Sequence, residues 1–151
     1  DSENISFVPF GSYSAVKDEK SRLKLLQKMV AHTQFCMSGD NTLEAASYAV
    51  KSIVNSDTSG GEDKQYQRYV FVLSDANFER YGISASDIRR TMLKDPRVQV
   101  HFILIASLGD EAERFATALP AGRVHMCYES TDLPSIFKRI LTSYGGALDT
   151  N

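Results

Sequence analysis

The stretch Val98 to Ala106, VQVHFILIA, does most to restrict what this chain can become. It is too short to cross a membrane, which takes roughly 20 apolar residues. It is also too uniformly apolar to leave one face in water. Asp95-Pro96 precedes it and Ser107-Leu108-Gly109 follows. A run of this kind, bounded by turn residues, reads as a strand buried on both faces, as in a parallel sheet. A second apolar strand, Tyr69 to Leu73, runs directly into Ser74-Asp75-Ala76-Asn77. A carboxylate and a hydroxyl therefore stand where a buried strand ends, the edge at which open α/β sheets bind ligands. The same four residues would also serve simply to turn the chain and cap the next helix.

The elements around these strands alternate. Thr42 to Asn55 has a helical apolar stripe in Leu43, Ala46, Val50, Ile53 and Val54, with Asn41 or Thr42 as its cap. A helix capped by Ser84 or Ser86 runs to about Lys94, with Ile88, Met92 and Leu93 expected inward. Asp110 to Leu119 is a helix stopped by Pro120-Ala121-Gly122, and Arg123 to Tyr128 is a strand. The last helix is expected to be capped by Ser130 or Thr131 and to carry Pro134 in its first turn. Its stripe is Leu133, Ile136, Phe137, Ile140, Leu141 and Tyr144. From Thr42 onward, helix and strand therefore take turns, which implies a mostly parallel sheet with helices on both faces.

Upstream of Thr42 the pattern is less regular. Ile5 to Phe10 contains Pro9 and reads as an edge strand. Lys17 to Phe35 reads as a helix, with Leu23, Leu26, Met29 and Val30 at helical spacing and a solvated row of Lys20, Lys24 and Lys28. Cys36 to Asn41 is a polar loop. Residues 56–66 form a Gly-rich polar linker expected to be mobile. One domain over residues 1–151 accommodates all of this.

Bulk properties exclude several functions. A formal net charge of −2 gives no reason to expect nucleic acid or anionic lipid as the main partner. No apolar run is long enough for a membrane span. Cys36 and Cys127 have no metal-ligand spacing and read as buried thiols of a reducing compartment. The opening Asp1-Ser2-Glu3 lacks an initiator Met and a signal peptide, as expected for a piece of a longer protein. There is no GxGxxG after a strand, no GxxxxGK[ST] and no GxSxG. His32, His101 and His125 are scattered and read as structural.

Two residues remain that could act together. Thr42 places a hydroxyl at a helix N-terminus after a Gly-containing loop, and Asp75 places a carboxylate at a strand end. Oxygen ligands suit a hard cation such as Mg²⁺, but Mg²⁺ prefers six of them, so two are too few for a tight site.

The segment Ser38-Gly39-Asp40-Asn41-Thr42 opening a helix, followed by Val72-Leu73-Ser74-Asp75 ending a strand, resembles a von Willebrand factor type A domain. The resemblance implies a three-layer Rossmann-like fold with a metal-ion-dependent adhesion site. In that site Thr42 and Asp75 would be metal ligands, with Ser38, Asp40 and Ser74 in a supporting role. Ala76 stands where the family usually has Gly, and Ser74 where Thr is common, so a positive-φ turn after Asp75 is put in question. The longer runs AHTQFCMSGDNTLEAA, VFVLSDANFERYGIS, LGDEAERFATALPAGR and DLPSIFKRILTS resemble the C-terminal end of family members that belong to large AAA+ ATPases, related in layout to midasin. That implies a non-catalytic module of a mitochondrial ATPase. Its partners would be the AAA+ ring modules of the same parent and a protein presenting Asp or Glu to a bound Mg²⁺.

The family's first metal loop, Asp-x-Ser-x-Ser, is absent. Asp57-Thr58-Ser59-Gly60-Gly61 lacks the last Ser and follows no apolar strand. The resemblance therefore implies that the N-terminal strands and the principal ligands lie outside this sequence, that the site is incomplete here, and that one edge of the Asp75 strand needs a cover. Two alternatives stay open. One is a structural terminal domain with an empty site. The other is a Mg²⁺-dependent phospho-acceptor, although Ile105-Ala106-Ser107 lacks the Lys such a domain would want at that strand end.

Overall fold

The computed structural model describes residues 18–33, 41–55, 67–105 and 109–145. The chain divides into two units, 1–41 and 42–151. In the first unit the described element is α1 (Glu19–Thr33). Asp18 precedes it, accepting the Ser21 N–H at 2.8 Å and the Ser21 hydroxyl at 3.0 Å. These bonds satisfy donors that a helix start leaves open and hold the Asp18 carboxyl below its ordinary range. Leu23, Leu26, Met29 and Val30 of this helix are exposed. The expected edge strand at Ile5 to Phe10 and the linker at 56–66 lie outside the described residues.

The second unit alternates as its pattern requires: α2 (Thr42–Asn55), β1 (Arg68–Ser74), α3 (Ala85–Met92), β2 (Val98–Ile105), α4 (Gly109–Ala118), β3 (Val124–Cys127) and α5 (Leu133–Gly145). Short 3₁₀ turns precede α3 and α5. The three strands form one parallel sheet in the order β1-β2-β3. β2 is therefore central, and five consecutive residues from Val100 to Leu104 are buried. Among the described residues β1 has a strand on one side only.

Strand periodicity divides the core in two. Even-numbered side chains of the strands (Val70, Val100, Phe102, Leu104) join Val50 of α2, Ile88 and Met92 of α3, and Ala112 and Phe115 of α4. On the other face Ile103 and Cys127 meet Ile136 and Ile140 of α5, with Tyr69, Phe71 and Phe137 against them. The result is a three-layer α/β fold with helices on both faces of the sheet.

Several boundaries and facings differ from expectation. Ser74 belongs to β1 rather than to the loop. Leu93 is not inward: it is the C-cap of α3, at φ −100° and ψ 9°, and is 51% exposed. A residue that leaves helical geometry also leaves the buried row on which Ile88 and Met92 lie. Leu141 is likewise exposed, because the face of α5 that meets the sheet is taken by Ile136 and Ile140, flanked by Leu133 and Phe137. The 3₁₀ turn that leads into α5 is capped by Glu129, rather than by Ser130 or Thr131, with Asp132 closing the capping box from its third position. The Asp132 carboxylate accepts the N–H groups of Tyr128 and Glu129, both at 3.0 Å. Ser84 does cap α3, its hydroxyl accepting the Asp87 N–H while Asp87 accepts the Ser84 N–H in return.

Phe78 is the residue of the β1–α3 connection that roots it in the core. It is fully buried, edge-on to Phe102 at 6.5 Å and to Phe115 at 5.1 Å between ring centroids. Removing a buried phenyl ring typically costs about 3–5 kcal/mol, a large part of a domain's whole stability. Phe78→Ala is expected to lower the unfolding free energy obtained from urea titration by that amount. It is also expected to raise hydrogen exchange in residues 75–83 more than in β3.

Candidate functional site

The C-terminal end of β1 turns sharply. Ser74 is buried and its Oγ accepts the Ala76 N–H at 3.2 Å, while Asp75 Oδ1 accepts the Asn77 N–H at 3.3 Å. Two short side chains thus supply partners for the backbone as it leaves the ladder. Between them Ala76 sits at φ +61°, in the left-handed region. The positive-φ turn is therefore present without the family's usual Gly. Adopting this region costs a non-glycine residue roughly 1–2 kcal/mol. The Ala76 methyl is 1% exposed and packs in the cluster that contains Phe78, which offsets part of that cost. The turn leaves Asp75 exposed at the carboxyl edge of the sheet.

Thr42 is the first residue of α2 and is half-buried, with Asn41 in the preceding cap position. Its neighbour Leu43 packs against the same apolar cluster that buries Ala76, the neighbour of Asp75. Thr42 and Asp75 thus hang from one core. Ser38 and Asp40 lie outside the described residues. Ser74 is committed to the turn through its hydroxyl. Among the described residues no three His, Cys, Asp or Glu side chains come together to hold a metal ion. One carboxylate and one hydroxyl do not by themselves fit the six-oxygen demand of Mg²⁺.

A polar chain that sequence reasoning did not assemble lies on the α5 face of the sheet. Arg139 of α5 donates from Nη2 to His125 Nδ1 at 3.2 Å, and His125 Nε2 stands 3.2 Å from His101 Nδ1. Arginine has no acceptor, so His125 Nδ1 must accept. His125 then carries its proton on Nε2 and donates it to His101 Nδ1. Both rings are buried, with Phe71 stacked beside His101 and Tyr69 tilted against it. Burial, then the charges of His125 and Arg123, push His101 down to about 4. Burial and then the Arg139 charge lower His125 as well. The signal in the sequence was the phase of the two histidines: 101 and 125 are odd-numbered positions on adjacent strands and share a face.

The described residues of the second unit form a Rossmann-like α/β module with a parallel sheet and a carboxylate at the end of its first described strand. Over 143 residues, 95% of its length, the chain is 39% identical to von Willebrand factor A domain-containing protein 8 of Mus musculus. It spans 7% of that relative's length and so matches one part of it. No protein-family model matches the chain, and no solved structure does.

Two expectations follow. In the unfolded chain His101 titrates near 6.5, and in the folded chain near 4, so acid favours unfolding over that interval. Stability should be level above pH 6.5 and fall by about 1.4 kcal/mol per pH unit for this group down to about pH 4. Urea titrations at intervals of pH should show that slope, and His101→Gln should flatten it whatever its effect on absolute stability. At the turn, a β-branched side chain cannot tolerate the left-handed region that Ala76 occupies. Ala76→Val should therefore cost about 2–4 kcal/mol, while Ala76→Gly should stay within about 1 kcal/mol, since relief of strain and loss of a buried methyl oppose each other. Thermal melts distinguish these outcomes.

Proposed function

We propose that this chain is part of a protein-interaction module that holds a partner's carboxylate at the carboxyl edge of its sheet. The observation that carries the reading is the exposed Asp75 at the end of β1, presented by a turn whose geometry survives the replacement of Gly by Ala. The similarity to von Willebrand factor A domain-containing protein 8 supports it. In this reading Asp75 and Thr42 supply two oxygens of a Mg²⁺ site, with Ser38, Asp40 and Ser74 around them. An Asp-x-Ser-x-Ser loop that this sequence does not contain would supply the principal ligands, and a partner Asp or Glu the last one. The isolated chain would then bind Mg²⁺ poorly. The segment itself performs no catalysis, and it serves the AAA+ modules of a mitochondrial parent by engaging their client. No helix of the described residues is long and apolar enough to cross a membrane.

The test is calorimetric titration of Mg²⁺ into the domain extended to include the upstream metal loop, with and without Asp75→Ala. Binding is expected in the parent sequence and a loss of at least about tenfold in the variant, equivalent to about 1.4 kcal/mol. Equal heats from the two proteins would overturn the metal reading and leave a structural terminal domain.

A further inference from the structure

The end of the sheet opposite Asp75 carries a different surface. α3 buries Ile88, Thr91 and Met92, which leaves Arg89, Arg90 and Lys94 exposed on its outer side around the exposed Leu93. Arg97 follows at the turn into β2. Its guanidinium grips Asp95 in a fork, Nε to Oδ1 at 2.9 Å and Nη2 to Oδ2 at 2.7 Å. Two further arginines reach the same place from other strands. Arg123 directs Nη1 to the Met92 carbonyl at 3.5 Å, and Arg68 at the start of β1 adds its charge to the field on Asp95. Six of the chain's 17 basic residues therefore converge here against two of its 19 acidic ones, Asp87 and Asp95, in a molecule of net charge −2. Both acids are already engaged, Asp87 by Arg90 at 3.5 Å and Asp95 by Arg97. Arg89 and Lys94 make no ion pair among the described residues.

We infer that this face, formed by Arg89, Arg90, Leu93, Lys94 and Arg97, docks an acidic protein segment that carries an apolar side chain. The cations would meet its carboxylates, and Leu93 would meet the apolar group. Charge segregation in an acidic molecule is a steering device, because it selects both the sign and the orientation of the incoming partner. A single-stranded nucleic acid would want aromatic platforms among the cations, and none of these five residues is aromatic. A membrane surface would want a broad apolar face beneath the cations, and here one leucine stands alone. The surface is separate from the Asp75 edge, since the seven residues of β1 place about 20 Å between the two ends of the sheet.

The experiment uses the whole chain and a fluorescein-labelled peptide of Glu and Asp residues around one central Leu, read by fluorescence anisotropy. Binding is expected, falling as salt is raised. The double variant Arg89→Glu/Lys94→Glu, both positions exposed and outside the core, should weaken it by about tenfold or more. Leu93→Ser should weaken it several-fold, yet leave unchanged the affinity for a peptide with Ser in place of the central Leu. The titration is run in the presence of a chelator of divalent cations, which removes any contribution from the Asp75 edge, so a failure here is distinguishable from a failure of the metal reading. Equal affinity of the charge-reversed protein would overturn the inference. So would equal binding of the Leu and Ser peptides, or tighter binding of a single-stranded oligonucleotide or of vesicles rich in phosphatidylserine.

Discussion

The pairing of β2 with strands on both sides is the constraint on which the described structure depends. A strand with five consecutive buried residues must be covered above and below, and its backbone must be bonded along both edges. In a parallel sheet each return journey needs a crossover, so helices are placed on the faces by necessity. Here α3 and α4 cross on one face and α5 closes the other. Among the described residues, the strand ends are then where polar side chains meet solvent without disrupting the core. Asp75 occupies one such end, and Arg68 and Arg97 stand at the opposite one.

This geometry explains how one module can present two unlike surfaces. At the carboxyl end, Ser74 and Asp75 spend polar atoms on the turn, Phe78 anchors the loop behind it, and an exposed carboxylate results. At the amino end, the residues that begin β1, β2 and β3 include arginines, and the outer side of α3 adds more positive charge. The two surfaces are joined by rigid strands, so occupancy of one does not require distortion of the other.

The Arg139–His125–His101 chain has a different standing. It fills with polar groups a layer where apolar side chains would serve, and it keeps both imidazoles neutral beside a guanidinium. Along it Arg139 donates to His125 and His125 donates to His101, which ties α5 to β3 and β2. Its consequence is acid sensitivity, because both rings would rather be charged in water than neutral in the core.

The alternation of periodicities was enough, by itself, to define the α/β class, the parallel sheet, the central place of Val98 to Ile105 and the strand-end position of Asp75. Those features depend on hydrophobic burial and on the geometry of crossovers, both of which are written in residue order. The sequence could not say that Ala76 adopts a conformation usually left to Gly, because the compensating burial of its methyl comes from residues such as Phe78 that only the fold brings near. Nor could it say that Leu93 and Leu141 face water, since their stripes were correct in period and the structure chose which members lie on the line of contact. The histidine chain and the basic face were decided at the same level: each gathers residues from separate elements, and their distances exist only once the strands are in register.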